Sequence, residues 1–210
     1  TKKSVILKKK NITQIYNCVD DKIFFPEDID RARSELNLPL NKFIILIGSQ
    51  KLNDNIKNNI LIDNISKEIS DEEIIFISFG EHNNFFKNIK NFGFIKDKNI
   101  LKKIYSSSNV FLSFSKEEAF GKTLVESLMC NTPVIVNDNH SSKEIISHKK
   151  NGYLVEKGNY IEAISWTKKN MNKSFSKFDI SDNKQFNIDT VSNEYIKLYH
   201  KILKKNYEFE

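Results

Sequence analysis

Short, mainly apolar runs alternate along the chain with longer amphipathic stretches, and this alternation constrains the fold more than any other feature. The runs are rich in consecutive Ile, Val and Phe, which is typical of strands that are covered on both faces. The pattern therefore predicts an α/β fold, an open, doubly wound parallel sheet with helices on both faces. The predicted buried strands are residues 43–47, 74–78, 110–114 and 133–137, with shorter strands at 92–95 and 153–155.

The amphipathic stretches predict helices at residues 57–69, 98–107, 121–130, 141–147 and 160–170. In an open parallel sheet, ligands bind outside the carboxyl ends of the strands. We therefore expect the chemistry of this protein in the loops that follow the four long strands, after Ile47, Ser78, Phe114 and Asn137.

The composition limits the classes of partner. A net charge of +6, from 33 basic and 27 acidic residues, favours anionic ligands, phosphates or an acidic membrane surface without choosing among them. The sequence has no aromatic-studded basic strand and no recognition-helix pattern, so nucleic acid is not the expected partner. It also has no run of about 18 apolar residues and no signal peptide, and we expect a cytoplasmic protein.

The cysteines argue against a disulfide and against a metal site. Cys18 and Cys130 lie far apart, each among apolar neighbours, as free buried thiols do in a reducing compartment. No Cys or His spacing is typical of metal ligands.

The two ends of the chain do not fit the alternating pattern. Residues 12–17 predict a strand without a partner in the sheet, and the polar residues 175–186 predict a linker. After the linker, one amphipathic helix is predicted by the spacing of Ile188, Val191, Tyr195, Leu198 and Ile202. Its apolar stripe needs a surface to cover, and the chain begins at Thr1, so we expect an upstream domain to supply that surface.

The most informative segment is SKEEAFGKTLVE, residues 115–126, directly after the predicted strand 110–114. A strand, a glycine turn and a helix start form an anion site, because unpaired N–H groups and the positive helix end face outward there. Phosphate oxygens would suit the N–H groups of Phe120, Gly121 and Lys122. Gly121 would let a ligand approach the backbone closely, since it has no Cβ.

Two carboxylates flank this turn. Glu118 precedes the predicted helix and Glu126 lies within it, so they can contact one ligand at different depths. A carboxylate can accept hydrogen bonds from two vicinal hydroxyls, which suits a ribose or a hexose. A structural alternative is that Glu118 favours the positive helix end while Glu126 pairs with Lys122 one turn earlier.

The longer run EAFGKTLVESLMCNTPVI, residues 118–135, resembles the signature of glycosyltransferase family four, whose enzymes have the GT-B fold. That signature is a Glu, seven residues, a second Glu, and a short helix before Pro-Val. Further segments at 15–20, 25–26, 144–146, 151–155 and 195–199 resemble other parts of the family's carboxyl-terminal domain, in the same order. The resemblance implies a Rossmann-like domain, the second half of a GT-B fold.

The resemblance also implies roles for single residues. Glu118 would be the catalytic residue that contacts the donor sugar, Glu126 would bind the nucleotide ribose, and the amides near Gly121 would hold the diphosphate. The implied donor site further includes Ala119, Phe120, Lys122, Lys57, Phe94 and Ile95.

Two of these assignments have structural alternatives. Lys57 would neutralise phosphate, but a lysine at a helix start is also commonly solvated. Phe94 and Ile95 would meet the nucleobase, but Phe94 could equally pack in the core.

We accordingly expect the donor-binding half of a retaining glycosyltransferase of the hexosyltransferase type. It would transfer a sugar from a nucleoside diphosphate sugar to a hydroxyl of a glycan or lipid-linked glycan, without a metal or another cofactor. Residues 1–20 would end a missing amino-terminal domain and form the linker, 21–174 would bind the nucleotide sugar, and 175–210 would form a linker and a helix that packs toward the missing domain. That domain would bind the acceptor, with contact to a membrane surface, and the present chain alone would be inactive.

Two alternatives stay open at this point. One is a catalytically inactive nucleotide-binding module of the same fold, and the other is a basic nucleic-acid-binding domain.

Overall fold

A computed structural model describes residues 11–51, 59–69, 71–81, 89–115, 119–156, 158–174 and 184–207. Within these ranges the strands form one sheet, in which every pair of neighbours is parallel, in the order β3-β2-β1-β4-β5-β6. The strands are β1 (Phe43–Lys51), β2 (Ile74–Glu81), β3 (Lys90–Asn91), β4 (Val110–Ser113), β5 (Val134–Asn137) and β6 (Gly152–Val155). The helices are α1 (Ile29–Glu35), α2 (Asn59–Glu68), α3 (Lys98–Ser106), α4 (Lys122–Met129), α5 (His140–Ile145), α6 (Tyr160–Ser174) and α7 (Ile188–Tyr207).

The sheet has a hydrophobic core on each face, because successive side chains of a strand point to opposite sides. In β1, Ile44 and Leu46 pack in one core with side chains of α3 and α4. Ile45 and Ile47 pack in the other core with side chains of α2 and α6. The predicted α/β fold, a doubly wound parallel sheet covered on both faces, is thus confirmed.

The strand order reverses direction between β1 and β4, which are neighbours in the sheet but are separated by β2 and β3 along the chain. The loops after β1 and β4 therefore leave the sheet toward opposite faces, and a crevice forms at the carboxyl edge between them. This edge is where the sequence places its motif.

Two local predictions were wrong, and one helix was not predicted. No strand forms at residues 12–17, where Thr13 and Ile15 instead line a groove beside Leu198 of α7. The third strand is Lys90–Asn91, not residues 92–95, because the chain turns away at Gly93, where φ is +70°. Helix α1 was not predicted, since only two of its seven residues are buried and it has no apolar stripe.

The terminal segments of the described chain are tied to the first core. Val19 and Phe186 are both buried there, and the amide of Val19 donates a hydrogen bond to the carbonyl of Phe186 over 2.8 Å. The predicted linker 175–186 lies mostly outside the described residues, and its last residue is part of the core.

Of the predicted apolar stripe of α7, Val191 is buried, Ile188 and Leu198 are half-buried, and Tyr195 and Ile202 are exposed. Its exposed large apolar side chains are Tyr195, Ile196, Tyr199, Ile202 and Leu203. None of the helices in the described ranges has the length and hydrophobicity that a bilayer-spanning helix needs.

Candidate functional site

A cavity of about 540 Å³ opens at the carboxyl edge of the sheet. Its wall is formed by the end of β2 with Phe79 and Gly80, by the loop that carries Phe94 and Ile95, and by the first turns of α3 and α4. This volume lies within the range of small-molecule sites, which is about 300 to 1,000 Å³. The sequence motif at residues 115–126 contributes Lys122, Thr123 and Glu126 to it.

Glu126 is a buried carboxyl group on the wall of this cavity. Only 8% of the residue is exposed. One carboxylate oxygen, Oε2, accepts a hydrogen bond from the hydroxyl of Tyr105 over 3.3 Å. Burial raises the pKa of Glu126 from 4.5 to about 7, and the nearby charges of Lys122 and Lys98 oppose that rise only in part.

The structural alternative for Glu126 does not hold. No ion pair within 4.0 Å joins the side chains of Glu126 and Lys122 in the described part of the chain. A buried carboxyl group without a cationic partner is costly for stability. It is therefore the kind of group that is expected at a functional site.

Gly121 sets the geometry of the loop before α4. Its φ of +88° lies in the left-handed region, and a Cβ there would lie 2.9 Å from Cδ1 of Leu124. The carbonyl of Gly121 accepts the first bond of the helix, from the amide of Leu124. In the described chain, the amides of residues 120–123 have no protein acceptor, as is usual at a helix start, and the predicted anion site at these amides stays a prediction.

The charge around the cavity is positive on one side. Lys96, Lys98 and Lys122 line it, and two of them lower the pKa of Glu126. Cations beside unpaired amides suit a phosphate-bearing ligand. Within the described residues, no cluster of three or more His, Cys, Asp or Glu side chains could hold a metal ion.

The residues next to Gly121 differ in environment. Ala119 is exposed, and the half-buried ring of Phe120 packs against Tyr16 and Phe186 at centroid distances of 6.3 and 5.5 Å. The aromatic cluster thus ties the loop before α4 to both terminal segments of the described chain.

Phe94 lies on the cavity wall with 46% of its surface exposed. The alternative that it packs in the core is therefore wrong, and its ring is free to stack on a planar ligand. Ile95 is half-buried next to it and lines the same cavity.

Glu118 and Lys57 lie outside the described residues, so their assigned roles stay predictions. Several residues of the site were not predicted from the sequence, among them Phe79, Gly80, Lys98 and Tyr105. Phe79 and Gly80 directly follow the predicted strand 74–78, and the rule that ligands bind at the carboxyl ends of strands could have identified them. Tyr105 carried no such signal, because it lies in a predicted helix 21 residues before its partner Glu126.

Residues 78–177, which include Phe79, Phe94, Tyr105, Gly121 and Glu126, match the model of the family described as glycosyl transferases group 1. The match covers slightly less than half of the chain. A curated relative, the N-acetyl-alpha-D-glucosaminyl L-malate synthase of Bacillus anthracis, is 23% identical over 159 residues, or 71% of this chain. The alignment covers 41% of that relative, so the chain spans less than half of its length.

Solved structures show the same fold. Sucrose-phosphate synthase from Thermosynechococcus elongatus superimposes with a TM-score of 0.81 at 22% identity, over 94% of this chain and 54% of that one. Anabaena HepE in complex with UDP and glucose gives a TM-score of 0.71 at 19% identity, over 89% and 56% of the two chains. The chain thus has the Rossmann-like fold expected for half of a GT-B enzyme.

Proposed function

We propose that this chain is the donor-binding half of a retaining glycosyltransferase that takes a nucleoside diphosphate sugar as its donor. The observation that carries the proposal is the cavity in which a buried carboxyl group, Glu126, lies beside the unpaired amides and lysines of a helix start. This combination offers one acceptor for hydroxyls and several donors for phosphate, which are the two polar parts of such a ligand.

In the proposed complex, the diphosphate lies at the amides of Gly121 and Lys122, and the ribose hydroxyls bind Glu126. The base lies between Phe94 and the end of β2, where the wall is largely apolar. HepE, which shares the fold, was solved with UDP and glucose, and this supports a nucleotide-sugar donor.

For the chemical step, we propose that Glu118 contacts the transferred sugar and that Lys57 meets the diphosphate. Charge that develops on the leaving diphosphate would be stabilised by Lys57, by Lys122 and by the amides at the start of α4. Preorganised donors of this kind are usually the largest single contribution to catalysis. No metal is needed in this scheme.

The acceptor, a glycan or a lipid-linked glycan, would be bound mainly by another domain. The relatives are about twice as long as the part that this chain matches. The uncovered apolar face of α7 is then the surface onto which that domain packs. The proposal places the boundaries of the donor-binding domain after residue 20 and after residue 174.

The proposal is tested first with the unmodified chain. A thermal-shift screen against UDP, GDP, ADP and their sugar conjugates should raise the melting temperature with one base. Titration calorimetry with that ligand then gives the affinity. If no nucleoside diphosphate or conjugate stabilises the chain, the donor-binding role is wrong.

Substitutions then distinguish the roles of the two carboxylates, Glu126 and Glu118, in binding. Glu126→Gln keeps the size of a buried side chain and should weaken both the diphosphate and its sugar conjugate by about tenfold or more, since a hydrogen bond to a charged group contributes roughly 1.5 to 3 kcal/mol. Glu118→Gln should weaken the conjugate only. Glu68→Gln, on the exposed end of α2, is the matched control. An equal effect of both site substitutions on the bare diphosphate would contradict the assigned roles.

Lys57 is tested through the charge of the ligand. Lys57→Ala should weaken a nucleoside diphosphate more than the free nucleoside, because only the former carries charge for the ammonium group. Lys67→Ala, an exposed lysine of α2, serves as the control. Equal weakening of both ligands would show that Lys57 acts structurally.

A further inference from the structure

We propose that Tyr105 is a positioning residue for Glu126, whose hydroxyl orients the carboxylate so that its second oxygen faces the ligand. This inference rests on the proposed function, in which Glu126 binds the ribose. It adds a residue that does not itself line the cavity but acts through one that does.

The buried hydroxyl of Tyr105 defines the geometry of the pair. Tyr105 is fully buried on α3, and its hydroxyl donates to Oε2 of Glu126 over 3.3 Å. A fully buried hydroxyl needs a hydrogen-bond partner, and in the described chain this carboxylate is the one that Tyr105 has. Burial and the charge of Glu126 raise the pKa of Tyr105 well above its ordinary value, so the hydroxyl keeps the proton that it donates.

The tyrosine ring is held by its neighbours. It makes edge-to-face contacts with Phe24, Phe79 and Phe111 at centroid distances of 6.3, 5.7 and 5.6 Å. The backbone carbonyl of Tyr105 also accepts a hydrogen bond from the hydroxyl of Thr132 over 2.7 Å. Because close-packed rings leave little freedom, the hydroxyl is a fixed point in the core.

The fixed hydroxyl has two effects on Glu126. It occupies Oε2, while Oε1 has no hydrogen-bond donor among the described residues and is left for a ligand. It also lowers the pKa of Glu126 against the larger effect of burial, and so favours the ionised form that accepts hydroxyl hydrogen bonds most strongly.

A tyrosine that only filled the core would predict a different outcome. Tyr105→Phe keeps the ring and its packing, so a space-filling role leaves the ionisation of Glu126 unchanged. A positioning role raises the pKa of Glu126, by about one or more for the loss of one hydrogen bond to a charged group. The dependence of ligand affinity on pH therefore separates the two roles.

The experiment compares the unmodified chain, Tyr105→Phe and the control Tyr153→Phe by calorimetry with UDP-glucose between pH 6 and pH 9. Tyr153 is a buried tyrosine in the core on the other face of the sheet. Tyr105→Phe should weaken binding about fivefold at pH 7 and less than about twofold at pH 9, as expected when the pKa of the group that binds rises by about one. Tyr153→Phe should follow the unmodified chain at every pH. In a Glu126→Gln background, Tyr105→Phe should have no pH-dependent effect.

A second readout needs no ligand. The carboxyl carbon of Glu126, followed by NMR in the unmodified chain and in Tyr105→Phe, reports the pKa directly. If the unmodified chain does not bind UDP-glucose but Tyr105→Phe still raises the pKa of Glu126, the choice of ligand is wrong and the link between the two residues stands. If Tyr105→Phe changes neither the pKa of Glu126 nor the pH profile of binding, the inference is overturned.

Discussion

Replacing Glu126 by glutamine should stabilise the folded chain in a way that depends on pH. The gain in the free energy of unfolding over the unmodified chain should be larger at high pH than at low pH. The carboxyl group has a pKa of about 7 when folded and an ordinary value of 4.5, with burial as the main cause. Below pH 4.5 the carboxyl group is protonated in both the folded and the unfolded state, so its ionisation does not change the free energy of unfolding. Between pH 4.5 and pH 7 the unfolded chain releases this proton more readily, so the native state loses stability as the pH rises.

The size of the effect follows from the two pKa values. One step in pKa corresponds to about 1.4 kcal/mol, so the difference between about 7 and 4.5 amounts to about 3 kcal/mol at high pH. About 2.5 kcal/mol of this loss falls between pH 5 and pH 8. Because a glutamine side chain does not ionise, Glu126→Gln should not lose this stability as the pH rises.

The assay is urea unfolding of both chains at several pH values, with the free energy of unfolding plotted as a difference. The difference in favour of Glu126→Gln should grow by about 2.5 kcal/mol from pH 5 to pH 8. Glu68→Gln, at an exposed carboxylate, should give a difference that changes by less than about 0.5 kcal/mol. A flat difference for Glu126→Gln would refute the argument that burial raises its pKa.

Three further substitutions test the site and its surroundings. Gly121→Ala should destabilise the chain by about 1 kcal/mol or more, because φ is +88° and the new Cβ would lie 2.9 Å from Cδ1 of Leu124. In calorimetry it should weaken the binding of UDP more than that of uridine. Gly158→Ala, with φ of +79° and no contact within 3.8 Å, is the control for the backbone cost and should bind UDP normally. Phe94→Ala should change the unfolding free energy by less than about 0.5 kcal/mol, because 46% of the residue is exposed, while it weakens uridine. Tyr199→Ser, at a residue that is 58% exposed, should not change the unfolding free energy of this chain in urea. It should destabilise a longer protein that includes the proposed second domain by more than about 1 kcal/mol. If the substitution changed the stability of neither protein, a domain on this face would be ruled out.

The sequence by itself determined the sheet and the glycine turn before α4. Buried parallel strands consist of continuous Ile, Val and Phe, so β1, β2, β4 and β5 were visible as local runs. A helix start with a glycine turn is also a local signal, which is why the loop at Gly121 was located correctly. Where the signal was weak, the prediction failed: the two residues of β3 are paired by their neighbour β2, and α1 begins at its cap Asp28 without an apolar stripe.

Only the tertiary structure decided the chemistry of Glu126. A glutamate four residues after a lysine on a helix reads as a surface ion pair, and nothing in the local sequence indicates that the carboxyl group is buried. Burial depends on how α3 and α4 pack against the sheet, and that packing also brings Tyr105 to the carboxylate from 21 residues away. Since a pKa responds to the surrounding medium and to neighbouring charges in space, it is a property of the assembled core and not of the order of residues.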